Sequence, residues 1–181
     1  MDGQKISGKN FEKAVEEAVK YGAVHALLYF DAHAADEETV RAALVDFVSR
    51  LSGFRGLVYC NGEILEVIRQ EGARPEEGFS STARVEVVAD NFSTLVNACL
   101  QYAPMAVEVL APAKISINTE QAQAILLDAS QASQDFSQMI YAKILKSDEY
   151  KALDEALKKR IEAGKKLMEK AKSGKELGGK K

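Results

Sequence analysis

Apolar side chains in the first ninety residues follow two different periods. In residues 10–20, Phe11, Val15 and Val19 lie on one side of a helical wheel, with Glu and Lys opposite, which predicts an amphipathic helix. Residues 24–30 form a nearly continuous apolar run of strand length, which predicts a central strand. A helix followed by a buried strand therefore opens the chain.

The next helix has clear start and stop signals. Asp36 is a suitable N-cap, Glu37 and Glu38 complement the helix dipole, and helically spaced apolar residues continue to Leu51. Ser52 and Gly53 are expected to end this helix.

Two apolar segments, residues 56–60 and 63–68, flank Asn61-Gly62, and the second predicted strand lies in the first of them. This dipeptide tolerates positive φ, so residues 56–68 are predicted to form a hairpin around it; alternatively, the second strand stops at Asn61 and a loop follows. Residues 70–81 are polar and predict a surface loop.

Strict alternation marks the third predicted strand, over residues 82–89. Ala83, Val85 and Val87 alternate with polar neighbours, which is the pattern of a sheet with one buried face. Asp90 or Asn91 caps the next predicted helix, and residues 105–110 predict a fourth strand.

The order strand, helix, strand, strand, helix, strand predicts the fold class. It is the order of a ferredoxin-like βαββαβ antiparallel sheet of the α+β class, with the first and third strands in the middle and both helices on one face. We therefore predict a ferredoxin-like α+β domain over residues 1–117, preceded within it by the N-terminal helix 10–20, and a long C-terminal helical extension over residues 118–181 that ends in a Lys-rich tail.

The extension has an unusual polar composition. Asn118 or Thr119 caps a helix predicted to run to about Lys146, and Ser147 is expected to start another. Residues 118–146 contain five Gln, three Ser and few charges, which indicates close packing against another surface. That surface is either a second subunit or the chain's own sheet, and the predicted oligomer interface comprises Ile125, Ala129, Ser133, Phe136 and Ile140.

Candidate chemistry is concentrated on one face of the predicted sheet. Alternate residues of the first strand place His25, Tyr29, Asp31 and His33 on the same side. Adjacent strands would add an arginine and two carboxylates, a mixture suited to a small charged ligand. The predicted ligand-binding residues are Tyr29, Asp31, Arg84, Glu86 and Glu108, although any half-open sheet also exposes ordinary polar residues.

Metal ions and cofactors are not predicted. His25 and His33 would be about 26 Å apart on an extended strand, too far to share one ion. Cys60 and Cys99 belong to no CxxC pair and are predicted to be free buried thiols in a reducing cytosol. The sequence contains no GxSxG, GxxxxGK[ST], GxGxxG or HExxH motif, so common hydrolase, nucleotide-binding and zinc-protease chemistries have no support.

Charge and hydropathy restrict the possible partners. Residues 148–181 hold 11 Lys or Arg against 7 Asp or Glu, whereas the whole chain has a net charge of −3, so the remainder is acidic. An acidic body argues against nucleic-acid binding by the domain. With a charged N-terminal segment and no run of eighteen apolar residues, the sequence predicts a cytoplasmic protein that does not bind or cross a membrane.

Several whole segments resemble an archaeal family of small conserved proteins of unknown function. The segments are KYGAVHALLYFDAH, the NGEI turn, YAPMAVEVLAP and LLDASQASQDFSQMI, so the resemblance covers residues 21–144 and leaves the Lys-rich end outside. It implies a ferredoxin-like sheet with a following helix, and it supplies no catalytic residue.

These patterns favour a non-enzymatic, homo-oligomeric domain that serves as a small-ligand-binding or regulatory module. One alternative is an enzyme that uses the polar face around Tyr29, Asp31, Arg84 and Glu86, which would require a cleft with a perturbed carboxylate. Another is an interaction scaffold that binds other proteins through its C-terminal helix. Fold analogy alone does not distinguish these functions.

Overall fold

A computed structural model of the 181-residue chain describes residues 8–71, 78–144, 155, 158 and 159. Its internal contacts divide the chain into two compact units, residues 1–129 and 130–181. The predicted domain boundary at 117/118 stays a prediction. The elements, in chain order, are α1 (Gly8–Lys20), β1 (Val24–Ala34), α2 (Glu37–Ser52), β2 (Leu57–Ile64), β3 (Ile68–Arg69), β4 (Phe79–Ala89), α3 (Phe92–Tyr102), β5 (Ala106–Ala111) and α4 (Thr119–Ile144).

The five strands form one antiparallel sheet. Its order is β2-β4-β1-β5, with the short β3 also paired to β4. The two long strands β1 and β4 lie in the middle and pair along their whole length, from Val24 opposite Ala89 to Ala34 opposite Phe79. The predicted α+β class is confirmed.

The main core lies on one face of the sheet, under α2 and α3. Val85 and Val87 of β4 are fully buried there, and Ala26 and Leu28 of β1 pack in the same cluster. Helix α2 contributes Val40, Leu44 and Leu51, and α3 contributes Leu95. The alternation read from residues 82–89 is confirmed, because each alternate apolar side chain of β4 faces these helices.

The other face of the sheet is partly covered by α1. Val15 of α1 and Val88 of β4 are buried in a second, smaller cluster. The Phe11 ring packs against Tyr59 with 4.4 Å between ring centroids. The N-terminal helix therefore packs on the face opposite to α2 and α3.

Side-chain hydrogen bonds cap the N-termini of three helices, α2, α3 and α4. Asp36 accepts a hydrogen bond from the Thr39 backbone N–H at 2.8 Å, and this bond holds the pKa of the Asp36 carboxyl below its usual value. Asn91, not Asp90, caps α3 by accepting from the Thr94 N–H. Asn118 and Gln121 exchange backbone and side-chain hydrogen bonds, which forms a capping box at the start of α4.

The prediction of a hairpin at Asn61-Gly62 is wrong, and so is the alternative that the strand stops there. Strand β2 runs through both residues, with Asn61 opposite Glu86 and Gly62 opposite Val85. A Cβ atom at position 62 would lie 2.6 Å from Val48 Cγ1 of α2. Glycine is therefore required here for close approach between helix and sheet, whereas the described glycines with positive φ are Gly22 and Gly56.

We expect Gly62→Ala to lower the free energy of unfolding by about 1–2 kcal/mol, because the added methyl group overpacks the contact with Val48. Denaturant unfolding measures the change. In a Val48→Ala background the same substitution should cost less, since its steric partner is shortened. Equal stability of Gly62→Ala and the unmodified chain would contradict the close contact.

Some predicted boundaries differ from the structure. Strand β1 continues four residues beyond the predicted end at residue 30, and β4 begins at Phe79 inside the segment predicted as a loop. Long pairing between β1 and β4 extends both strands past the point where the sequence becomes polar. Residues 72–77, the predicted helix start at Ser147 and the Lys-rich tail lie outside the described residues.

Candidate functional site

The polar face of the sheet contains a histidine and a glutamate in direct contact. His25 of β1 and Glu86 of β4 lie on the same side, and His25 Nε2 is 2.8 Å from Glu86 Oε1. Their side chains are 14% and 31% exposed. The contact joins β1 to β4 beside the apolar residues of α1.

A second polar group lies further along the same face. Tyr29 is directly opposite Arg84, and Arg84 is opposite Glu63 of β2. The hydrogen bond that Arg84 donates to Tyr29, with a smaller contribution from Glu63 at 3.5 Å, raises the pKa of the Arg84 guanidinium above its ordinary value. Because both of these side chains are largely solvent-exposed, the ion pair between Arg84 and Glu63 contributes little to stability.

The remaining predicted ligand residues lie on the same face but make other contacts. Asp31 accepts a hydrogen bond from His33 Nε2 at 3.0 Å, and both side chains are exposed. Glu108 of β5 is exposed opposite Leu27, which is buried and lies opposite Glu86 on its other side. The five predicted residues therefore share one face but do not form a single cluster on it; whether they bind a ligand stays a prediction.

Sequence reasoning missed that α1 covers one end of this face. The available signal was Val88, an apolar residue at a position where the alternation of β4 requires the polar side. Its burial against Val15 brings α1 beside His25, whose ring lies edge-on to Phe11 at 6.4 Å. Within the described ranges, no cluster of three His, Cys, Asp or Glu side chains could hold a metal ion.

Both cysteines are half-buried free thiols. Cys60 of β2 and Cys99 of α3 pack at the margin of the main core. Burial raises the pKa of each thiol, which lowers the thiolate fraction at neutral pH and therefore the reactivity of both.

Helix α4 is the second candidate site. It extends over 26 residues, and none of them is buried. Of the predicted interface residues, Ile125, Ala129 and Ile140 are half-buried, whereas Ser133 and Phe136 are exposed. The structure adds large exposed apolar side chains that were not in the predicted set: Leu126, Leu127, Met139, Tyr141 and Ile144.

Fold and site together define a mixed α+β protein with one antiparallel sheet, a partly covered polar face and a long helix without a buried residue. A family model matches residues 25–169, and the chain belongs to the MJ0538 family. The predicted membership of a small conserved family is confirmed, and the match extends past residue 144 into the segment that the resemblance left out.

Other comparisons are less informative. No curated protein matches the sequence. Among solved structures, one that is similar is described as an "X-ray crystal structure of a putative amidohydrolase/peptidase from Burkholderia cenocepacia", with 14% identity and a TM-score of 0.25. The alignment covers 50% of this chain and 28% of that chain. A likeness at this level carries no argument about function.

In the part of the chain that the structure describes, no helix has the length and apolarity that a membrane span requires.

Proposed function

We propose that the protein is a non-enzymatic, oligomer-forming domain whose subunits associate through α4. The observation that carries the proposal is that this 26-residue helix contains no buried residue. Leu126, Phe136 and Ile144 are 69%, 60% and 73% exposed. Since most of the stability of a helix in a folded protein comes from packing its apolar face, α4 requires a partner surface, and a second copy of the same helix provides one.

The distribution of residues around α4 supports a helix–helix contact. Leu126, Ser133 and Phe136 lie on one side at helical spacing, while Asp128 and Asp135 lie on the opposite side. Gln131 donates a hydrogen bond to Asp135 at 2.8 Å on that charged side. Interface cores are depleted in charge, and a small residue such as Ser133 permits two helices to approach closely.

The free energies gained and lost on association indicate an assembly of moderate affinity. Three exposed side chains on the apolar side of α4, Leu126, Phe136 and Ile144, have more than half of their surface left to bury. In a dimer, six such side chains contribute on the order of 10 kcal/mol. The loss of translational and rotational freedom costs about 4–15 kcal/mol. We therefore expect an assembly that depends on protein concentration.

Native mass spectrometry and sedimentation velocity test this proposal on the full chain. Between about 1 and 100 μM the mean mass should rise to that of a dimer or larger, as mass action requires. A monomer across the whole range would overturn the proposal, because α4 would then be covered within its own chain.

Two finer features belong to the same proposal. A ferredoxin-like arrangement is supported by the order β2-β4-β1-β5, with β1 and β4 in the middle and α2 and α3 packed on one face. A cytoplasmic location is supported by the two free thiols, since free cysteines are typical of a reducing compartment.

A further inference from the structure

A groove of about 680 Å³ lies between α1 and the sheet. Phe11, Val15 and Val19 of α1 form one wall, and Ala111 at the end of β5 belongs to its lining. His25 and Glu86 also line it. This volume is within the range of small-molecule sites, which are mostly apolar with a few polar groups.

The polar lining has the properties of a recognition group. His25 Nε2 and Glu86 Oε1 are 2.8 Å apart, which fixes both side chains, and the Glu86 side chain keeps 31% of its surface exposed. A carboxylate has two oxygens and about four acceptor positions, so Glu86 retains acceptor capacity after bonding to His25. A donor that enters the groove can therefore bind Glu86 without displacing His25.

The charged side chains that line the groove favour a positively charged ligand. The groove is lined by three glutamates and one lysine, Glu12, Glu16, Glu86 and Lys20, which with neutral histidine give a net charge of −2. Glu12 and Glu16 are one turn apart on α1, and like charges at this spacing destabilise a helix. A bound cation would relieve that repulsion, whereas an anion would increase it.

We propose that this groove is a binding site for a small amphipathic amine. The ammonium group donates to the Glu86 carboxylate, and the aliphatic or aromatic body lies along Phe11, Val15 and Val19. Of the five ligand residues predicted from the sequence, only Glu86 takes part. The site goes beyond the proposed oligomerisation through α4, and neither depends on the other.

The two histidines of the chain make the test specific. His25 lies in the groove, and His33 lies on the same strand outside it, so the imidazole NMR signals contain both a reporter and an internal control. At pH 7.5, n-octylamine is protonated and should shift the His25 signals saturably while His33 is unaffected. Octanoate and 1-octanol have the same chain length but lack the charge-assisted hydrogen bond. Each should therefore bind at least about tenfold more weakly than n-octylamine.

Glu86→Gln tests the recognition group directly, since it keeps the shape of the side chain and removes the charge. We expect the affinity for n-octylamine to fall about tenfold. Glu63→Gln, on the same face and outside the groove, should leave it unchanged. Absence of a saturable shift at His25, equal binding of the three probes, or an unchanged affinity in Glu86→Gln would each overturn the proposal. The comparison of probes on the unmodified chain is decisive even if the variant does not fold.

Discussion

Phe136→Lys should be a monomer at concentrations where the unmodified chain is a dimer or larger. Phe136 is an aromatic residue on the apolar side of α4 with 60% of its surface exposed, and aromatic anchors of this kind dominate the energetics of interfaces. Replacing it with lysine removes the apolar area and leaves a charge to be buried in each subunit. A loss of 2 kcal/mol or more corresponds to an increase of about 30-fold or more in the dissociation constant, measured by sedimentation equilibrium.

The matched control is Gln131→Lys on the charged side of the same helix. It introduces the same charge, one turn from Asp128 and Asp135, where a lysine is compatible with helix formation. The dissociation constant should stay within about twofold of that of the unmodified chain. If both variants weaken association equally, net charge and not the apolar side of α4 controls assembly. If neither does, α4 is not the interface.

Local signals in the sequence were sufficient for the framework of the fold. Asp36 is followed by acidic residues and a helical apolar period, and its cap forms as expected. Alternation in residues 82–89 located a half-buried strand because its period of two is independent of tertiary structure. Helix caps and the period of apolar residues depend on neighbouring residues in the sequence. They can therefore be predicted without knowledge of the fold.

Contacts distant in sequence were not predictable in the same way. Asn61-Gly62 has the local chemistry of a tight turn, but pairing with β4 keeps it extended and Val48 explains the glycine. The extra residues of β4 from Phe79 onward are polar enough to suggest a loop, and they are strand because the end of β1 pairs with them. Tertiary pairing overrides local propensity at both places.

The candidate site shows the same division. That Tyr29 and Asp31 share a face follows from strand periodicity alone, and the structure has them on one face with Arg84, Glu86 and Glu108. Which of them contact each other depends on the register between strands, which the sequence does not specify. The groove was not predictable, because it requires α1 to pack on the polar face, and Leu27 and Val88 were the signs that this face is partly apolar.

The largest stability effect is expected at Leu28. This side chain is fully buried in the main core, and Leu28→Ala should lower the free energy of unfolding by about 3–5 kcal/mol, through lost burial and the cavity that remains. Val107 of β5 is directly opposite Leu28 and on the same face, yet it is 45% exposed. Because half of its surface is already hydrated, Val107→Ala should cost only about 1 kcal/mol. Denaturant unfolding at fixed protein concentration compares the two variants.

This pair of variants also tests whether the edge of the sheet is covered in solution. Val107, Val109 and Leu110 are exposed along β5, as is Met105 directly before it, and an apolar edge strand is prone to pair with another chain. A cost for Val107→Ala close to that for Leu28→Ala would contradict the exposed position of Val107. If that cost increased with protein concentration, the covering surface would belong to another subunit, since only an intermolecular contact is governed by mass action. A cost as large as that of Leu28→Ala but independent of concentration would instead assign the cover to the chain itself.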